Sequence, residues 1–266
     1  MDPSVIIIGF VLLLIVNHRY YWKVNSQLKF KDPTPFFISH RGYKSNYPEN
    51  TIESYKAAEE SGFKWVELDV VTTNDGHLLC THNFDLERET NGLGYFHKIN
   101  KRDVNPVNVV DKNRKATGSR VPSLISVFNE LHHTTKVNIE IKAPRAFDFS
   151  TARALIMVLP DLPIERILVS SFNPFVIAYL RLKNKRLITG FLYQNLEYEW
   201  LINWIHPSYI HPRADLIDES ILKYKNERNL GIAAWTVNNR PAIDWCLRKN
   251  LDAIITDSRI NNDQAD

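Results

Sequence analysis

Apolar residues recur along the chain in short runs of strand length. Between these runs lie longer stretches in which apolar positions return every three to four residues. The short runs are Phe36–Ser39, Trp65–Val71, Leu78–Thr81, Val137–Ile141, Ile167–Ser170, Leu187–Leu192, Tyr209–His211, Ile232–Trp235 and Ala253–Thr256. Helical patterns fall between most of them. One opens at Asn50-Thr51 and runs to Ser61, with Gly62 just past its end. Others cover Leu124–Leu131, Thr151–Val158, Pro174–Leu182, Glu197–Trp204, Ser220–Arg228 and Pro241–Arg248. Strands that alternate with helices predict a parallel sheet with helices outside it. Nine runs are one too many for an eight-stranded barrel. Only Thr72–His77 separates the second run from the third, with Asp75-Gly76 at its middle. That link is too short for a parallel crossover and has hairpin chemistry. The third run is therefore predicted to return antiparallel. Eight parallel strands remain: an α/β fold, a (β/α)8 TIM barrel. The polar, weakly periodic stretch Phe84–Arg120 reads as a long loop or small insertion over one mouth.

The amino-terminal run breaks this rhythm. Val5–Val16 carries no polar side chain, yet its 12 residues fall short of a bilayer core. Pro3–Trp22 spans 20 positions and ends in Tyr20, Tyr21 and Trp22, which are placed like an interfacial aromatic belt. A cleaved signal peptide needs a basic start and a small-residue cleavage site, and neither is present. A buried core helix is the third reading, although this run is apolar on every side. The favoured expectation is a single-pass anchor over residues 1–24, a linker over 25–35 and the barrel over 36–260. Arg19, Lys23, Lys29 and Lys31 all follow the run, which puts the catalytic body in the cytoplasm.

Composition narrows the chemistry. The 266 residues suffice for one large domain or two small ones. Hydrophobic residues at 44% and charged residues at 24% exclude a disordered or collagen-like chain. Two cysteines, Cys80 and Cys246, exclude a disulfide framework and zinc-finger or iron–sulfur ligation. They agree with a reducing compartment. A net charge of +3 gives no case for a nucleic-acid partner.

In a TIM barrel, function sits at the carboxyl ends of the strands. Those ends carry Ser39-His40-Arg41-Gly42, Glu67-Leu68-Asp69, His82-Asn83, Glu140-Ile141-Lys142, Ser170-Ser171-Phe172, His211-Pro212 and Trp235-Thr236-Val237-Asn238. Glu67 and Asp69 stand two apart, so they point to the same side, as do Glu140 and Lys142. Three carboxylates aimed into one mouth need compensation. A hard cation, Mg2+ or Ca2+, is one source of it. Ion pairing with Lys142 and Arg41 is the other. His40 and His82 are two imidazoles at the same end, suited to dividing base and acid work. Arg41 and Lys142 offer positive charge to a phosphate. His18, His77, His97, His132, His133 and His206 fall outside the strand ends, whereas His211 is placed to line the mouth.

The ordered set His40-Arg41-Gly42, Pro48-Glu49-Asn50-Thr51, Glu67-Leu68-Asp69, Asp75-Gly76, His82, Val121-Pro122-Ser123-Leu124, Glu140-Ile141-Lys142, Ser170-Ser171-Phe172, Ala234–Asn238 and Ile254–Asp257 resembles the glycerophosphodiester phosphodiesterase family. The resemblance covers Phe36 to Asp257. It implies a metal-dependent TIM-barrel hydrolase that splits glycerophosphodiesters into glycerol 3-phosphate and an alcohol. By this resemblance His40 and His82 are the catalytic pair, and Glu67, Asp69 and Glu140 the ligands of a divalent cation. Arg41 and Lys142 contact phosphate, Glu49 supports the first-strand loop, and Phe172 and Trp235 wall the substrate pocket. It further implies attack by the substrate's own hydroxyl, giving a cyclic phosphate that water opens. The family's usual Asp after the second histidine is Asn83 here, which predicts an altered pH optimum. Cys80 is expected to be packed rather than reactive. The alternatives are a lysophospholipase D at the membrane, a cyclising phospholipase on a similar barrel, and an inert membrane-tethered binding protein.

Overall fold

The strand-length runs become the staves of a closed barrel in the computed structural model, which describes residues 2–44 and 47–257. Its strands are β1 (Phe36–Ser39), β2 (Trp65–Thr72), β3 (Leu78–Cys80), β4 (Asn108–Val110), β5 (Ala116–Arg120), β6 (Lys136–Ile141), β7 (Ile167–Ser171), β8 (Ile188–Tyr193), β9 (Tyr209–Pro212), β10 (Gly231–Ala234) and β11 (Ala253–Thr256). The order β1-β11-β10-β9-β8-β7-β6-β2 closes through the β1–β2 pair. Every pair in that ring is parallel. β3 lies antiparallel to the upper half of β2, with Val70 opposite Cys80 and Thr72 opposite Leu78. The expected hairpin is thus present, and eight parallel strands make the barrel.

The helices are α1 (Pro3–Tyr20), α2 (Ile52–Glu60), α3 (Lys101–Val104), α4 (Leu124–Glu130), α5 (Ser150–Val158), α6 (Pro174–Lys183), α7 (Ile202–Ile205), α8 (Glu219–Arg228) and α9 (Arg240–Arg248). The two-residue period of the strands sorts their side chains. Phe36, Ile38, Trp65, Leu168, Ile188, Tyr209, Ala233, Ala253 and Ile255 fill the barrel below its mouth. Alternate residues such as Leu68, Val70, Val137, Ile139 and Val169 pack outward on Leu124, Val127, Leu155 and Leu180 of the helices. Cys80 is buried in this outer layer, as the expectation of a packed side chain requires.

Three expectations need correcting, and one pair of alternatives is decided. The helix expected over Glu197–Trp204 is a 3-10 segment, Leu196–Leu201, that leads into the short α7. Tight turns of this kind are common at helix ends. Of the two readings of Phe84–Arg120, the small insertion stands. It holds α3, the β4–β5 ribbon and a small core of Leu86, Phe96 and Val104 on Val71 and Leu79. Residues 25–35 are more than a spacer, because they plug the amino-terminal end of the barrel. Phe30 packs edge-on to Trp65 at 4.5 Å, its N–H donates to the Tyr209 hydroxyl at 3.1 Å, and Asp32 pairs with Lys136 at 2.5 Å. Finally, Trp22 does not join an exposed aromatic belt. It is buried, stacked on His206 at 4.3 Å, while Tyr20 and Tyr21 stay exposed. No residue of α1 is buried, so the core-helix reading of the amino-terminal run fails. The last residues expected in the barrel, 258–260, lie outside the described residues.

Candidate active site

The chain leaves β1 through a turn in left-handed backbone, with φ of 57° at Arg41 and 81° at Gly42. A Cβ on Gly42 would lie 2.4 Å from Ser54 Oγ, so this approach to α2 requires glycine. The turn is fastened to the start of α2: Tyr43 N donates to Ser54 O at 2.8 Å and Asn50 N to Arg41 O at 3.0 Å. Thr51 caps that helix by accepting from Ser54 N. The consequence is the position of Arg41. Its backbone N–H donates to Glu67 Oε2 at 2.9 Å, and its guanidinium reaches Asp69 Oδ2 at 3.0 Å and Glu49 Oε1 at 2.7 Å.

Glu67 and Asp69 rise from β2 on the inner face, and Glu140 stands opposite Asp69 on β6. Carboxylate oxygens of all three approach within 4.8 Å of one another, and all three residues are buried. Lys142, two residues beyond Glu140, pairs with Asp69 Oδ1 at 2.8 Å and with Glu140 Oε1. Asn50 braces Asp69 from below, donating from Nδ2 to Oδ2 at 2.9 Å and accepting from Asp69 N at 3.1 Å.

The cations do not satisfy this cluster evenly. Burial would raise the Asp69 carboxyl, but Lys142 and Arg41 hold it down to about 2. Glu67 behaves oppositely: burial, then the charges of Asp69 and Glu140, push it well above the ordinary range. Its Oε1 is buried and has no hydrogen-bond partner among the described residues. Burial also raises Glu140. Ion pairing with Arg41 and Lys142 is therefore present but leaves one oxygen of Glu67 unanswered. Three converging carboxylates, one with an orphaned oxygen, fit a hard divalent cation.

The hairpin brings His82 into the same mouth. Thr81 N donates to Asp69 O at 3.1 Å as the chain returns past β2. Burial and then the charge of Lys142 lower the His82 imidazole to about 4, so its ring is neutral near pH 7. Asn83 turns away from that ring. Its amide donates to Glu89 Oε1 at 2.5 Å and its oxygen accepts from Arg88 Nη1 at 3.1 Å.

His40 is held by a residue the strand-end survey did not include. Its Nδ1 lies 2.9 Å from Asp257 Oδ1, just past β11. Lys44 Nζ reaches the same oxygen at 2.5 Å, and Asn238 Nδ2 donates to Oδ2 at 2.9 Å. Although burial opposes it, hydrogen bonds from His40 and Lys44 hold Asp257 well below the usual carboxylate range. An ionised carboxylate only accepts, so the Nδ1 of His40 carries the hydrogen and Nε2 is its other ring nitrogen.

A cavity of about 900 Å³ gathers His40, Arg41, Glu67, His82, Glu140 and Lys142 on one side. Phe172 and Trp235 also line it, edge to face at 5.4 Å, with Trp235 Nε1 donating to His211 O at 2.7 Å. Asp69 lies beneath this lining, tied to Arg41 and Lys142. Glu49 does not line the cavity but grips Arg41, with Lys44 at 3.7 Å. His211 does not reach the mouth. It is fully buried in the barrel with both ring nitrogens lacking a hydrogen-bond partner among the described residues, and burial lowers its imidazole to about 3. Sequence reasoning missed Asp257, Lys44, Asn50 and Glu89 as supports of the site. Asp257 and Asn50 had a signal, since both stand in the ordered motif set quoted for the family resemblance.

A closed parallel barrel with ionisable groups gathered at the carboxyl ends of its strands has the architecture of a TIM-barrel enzyme. Residues 40–260 match the model of the glycerophosphoryl diester phosphodiesterase family. A glycerophosphodiester phosphodiesterase of Caldanaerobacter subterraneus subsp. tengcongensis is 31% identical over 83% of this chain and 93% of its own length. Among solved structures, an Oleispira antarctica phosphodiesterase in complex with the product sn-glycerol-3-phosphate superposes with a TM-score of 0.75 at 24% identity, covering 85% of this chain and 94% of that one. The glycerophosphodiester phosphodiesterase of Thermotoga maritima gives 0.68 at 25% identity, over 84% and 94%. The chain belongs to the glycerophosphoryl diester phosphodiesterase family and is a phosphoric diester hydrolase of that class.

Proposed function

We propose that the protein is a membrane-anchored, divalent-cation-dependent hydrolase that converts glycerophosphodiesters to glycerol 3-phosphate and an alcohol, using His40 and His82 as its acid–base pair. The observation that carries this is the meeting of both imidazoles, the acidic triad and two cationic side chains at one barrel mouth. Glu67, Asp69 and Glu140 hold the cation, Mg2+ or Ca2+. When bound it supplies Lewis-acid polarisation of the phosphoryl oxygens.

The chain's own groups divide the rest. Arg41 and Lys142 face the phosphate and offset its charge as that charge grows. His82, with its ring neutral, accepts the proton of the glycerol hydroxyl that attacks phosphorus. His40, its Nδ1 2.9 Å from the Asp257 carboxylate, protonates the departing alcohol oxygen. The phosphorus–oxygen bond to the alcohol breaks as the bond to the hydroxyl oxygen forms, leaving a cyclic phosphate. In the second half the roles reverse: His40 takes a proton from water and His82 returns one to the ring-opening oxygen. Phe172 and Trp235 present apolar faces that position the alcohol group.

The domain plan is an anchor over 1–24 and a barrel over 36–260, with the catalytic body in the cytoplasm. The one apolar helix among the described residues that is long enough to cross a membrane, Pro3–Tyr20, supports it. A second reading, cleavage of lysophospholipids, is favoured by the cavity's continuation past Phe175 to Tyr198 and Trp200, which offers a wall for an acyl chain.

Release of glycerol 3-phosphate and choline from glycerophosphocholine, with and without chelator, tests the reaction. Wild type should lose activity on chelation and regain it with Mg2+ or Ca2+. His40→Ala should be inactive in both conditions. Activity that survives both chelation and His40→Ala overturns the mechanism. Choline released from lysophosphatidylcholine in preference to glycerophosphocholine selects the second reading.

A further inference from the structure

The segment Leu196–Trp204 serves two masters. Tyr198, Trp200 and Leu201 line the cavity, and Trp204 meets the carboxyl end of α1. Leu196, Tyr198, Trp200 and Trp204 are also exposed, at 49%, 46%, 55% and 38% of their surfaces. Four large apolar side chains left in water within nine residues mark a surface built for contact.

The junction between α1 and the barrel is fixed. Trp22 stacks on His206 and donates from Nε1 to Asn203 Oδ1 at 3.1 Å. Arg228 donates from Nη1 to Tyr20 O at 2.6 Å, and Val24 N donates to Arg228 O at 2.8 Å. His18 Nε2 lies 3.1 Å from Trp204 O, and the Arg19 guanidinium lies 5.5 Å from the Trp204 ring. The barrel is therefore clamped to the helix and does not hang from a swivel.

Distance then decides where the cavity lies. An 18-residue helix is about 27 Å long, close to the thickness of a bilayer core. Arg19 is then at the boundary between hydrocarbon and headgroups, and Trp204 touches it. Trp200 is four residues away, about 6–8 Å along a helical or 3-10 segment. That distance matches the headgroup layer, roughly 5–8 Å per leaflet. Tryptophan and tyrosine favour this layer because each has an apolar ring and a polar tip.

We propose that Leu196, Tyr198, Trp200 and Trp204 form an interfacial lip resting in the headgroup layer of the bilayer that α1 spans, so that the cavity opens at the membrane surface. The inference rests on the membrane-anchor reading above, and its partner is a lipid surface. Glu197 and Glu199 interrupt the strip, so the attraction is apolar and aromatic rather than to anionic lipid.

The full chain, reconstituted in neutral phosphatidylcholine vesicles with bromine on the upper acyl carbons, provides the test. Tryptophan fluorescence quenching is compared for wild type, Trp200→Phe and Trp200→Phe/Trp204→Phe, with circular dichroism as the check of folding. Carbonate extraction of the same vesicles reports separately on α1. Retention through carbonate, together with bromolipid quenching that falls by about half or more in the double variant, supports the lip. Retention with quenching unchanged overturns the lip and leaves the anchor standing. Release by carbonate overturns the anchor, and the lip with it. If the double variant misfolds, quenching in wild type by bromines placed shallow and deep decides: stronger shallow quenching supports the lip, and equal or absent quenching refutes it.

Discussion

Asp257 and His40 join the last barrel strand to the first across 2.9 Å, and this contact fixes the hydrogen on the imidazole's Nδ1. Asp257→Asn keeps the shape but supplies an amide that can donate to Nδ1 and favour the wrong tautomer. The expected result is a kcat lower by roughly a hundredfold to a thousandfold, with KM little changed. Steady-state kinetics on glycerophosphocholine check it, and a variant within a few-fold of wild type would remove Asp257 from the positioning of His40. Its folded pKa is depressed, so the carboxylate stabilises the fold above its unfolded value of about 3.9. That contribution fades as pH falls toward the folded value.

Glu67 has the opposite sign. Its carboxyl is raised above its unfolded value, so the cation-free fold holds an extra proton there. Stability of the chelated protein should decline as pH rises from the unfolded value of about 4.3, because the unfolded chain then releases a proton that the folded state still holds, and the decline ends only above the folded value. Asp69, held near about 2, is already ionised in that window and offsets none of the decline. Binding of Mg2+ or Ca2+ should expel the Glu67 proton, so affinity should rise with pH. Calorimetry in two buffers of different ionisation enthalpy measures the release, and heats that are independent of buffer would refute it. Glu67→Gln keeps an acceptor for the Arg41 N–H and should weaken cation binding by roughly a hundredfold or more.

The inward residues of this site were legible because strand side chains alternate. Glu67 with Asp69, and Glu140 with Lys142, could be assigned to one face from spacing alone. The hairpin was legible because Asp75-Gly76 sits in too short a link for a crossover. Asp257 was harder, since its meeting with His40 depends on closure of the ring, 217 residues apart in sequence. The plug formed by Phe30 was illegible for the same reason: its partners Trp65 and Tyr209 belong to distant strands. The insertion after β3 hid its order because Leu86, Phe96 and Val104 form a core from separate turns, with no period to betray it. His211 was misplaced because Gly190 on the neighbouring strand leaves room for its ring inside the barrel.

That last pairing can be tested directly. A Cβ on Gly190 would lie 2.5 Å from His211 Nε2, and the imidazole is fully buried. Gly190→Ala should destabilise the protein by about 1–3 kcal/mol through overpacking. Thermal melting measures this, and an unchanged Tm would show that the ring can relocate. The double variant Gly190→Ala/His211→Ala should recover part of the loss.

Asn83 supplies a prediction of its own, because its amide lies against a carboxylate and not against the His82 ring. Glu89 accepts from Asn83 Nδ2 at 2.5 Å, from Thr81 Oγ1 at 2.7 Å and from His82 N at 3.3 Å. Burial already raises the Glu89 carboxyl. Asn83→Asp would set two acceptors face to face, costing about 1–3 kcal/mol when both are ionised. Either carboxyl can relieve the clash by taking a proton, so the folded pKa values rise. The stability loss should therefore be small in mild acid and grow as pH rises through the carboxyl range. Because Glu89 holds the His82 backbone, kcat should fall alongside stability on the alkaline side. Melting curves and rates of wild type and Asn83→Asp in mild acid and mild alkali check both. Equal differences at the two pH values would show that Asn83 and Glu89 are not coupled.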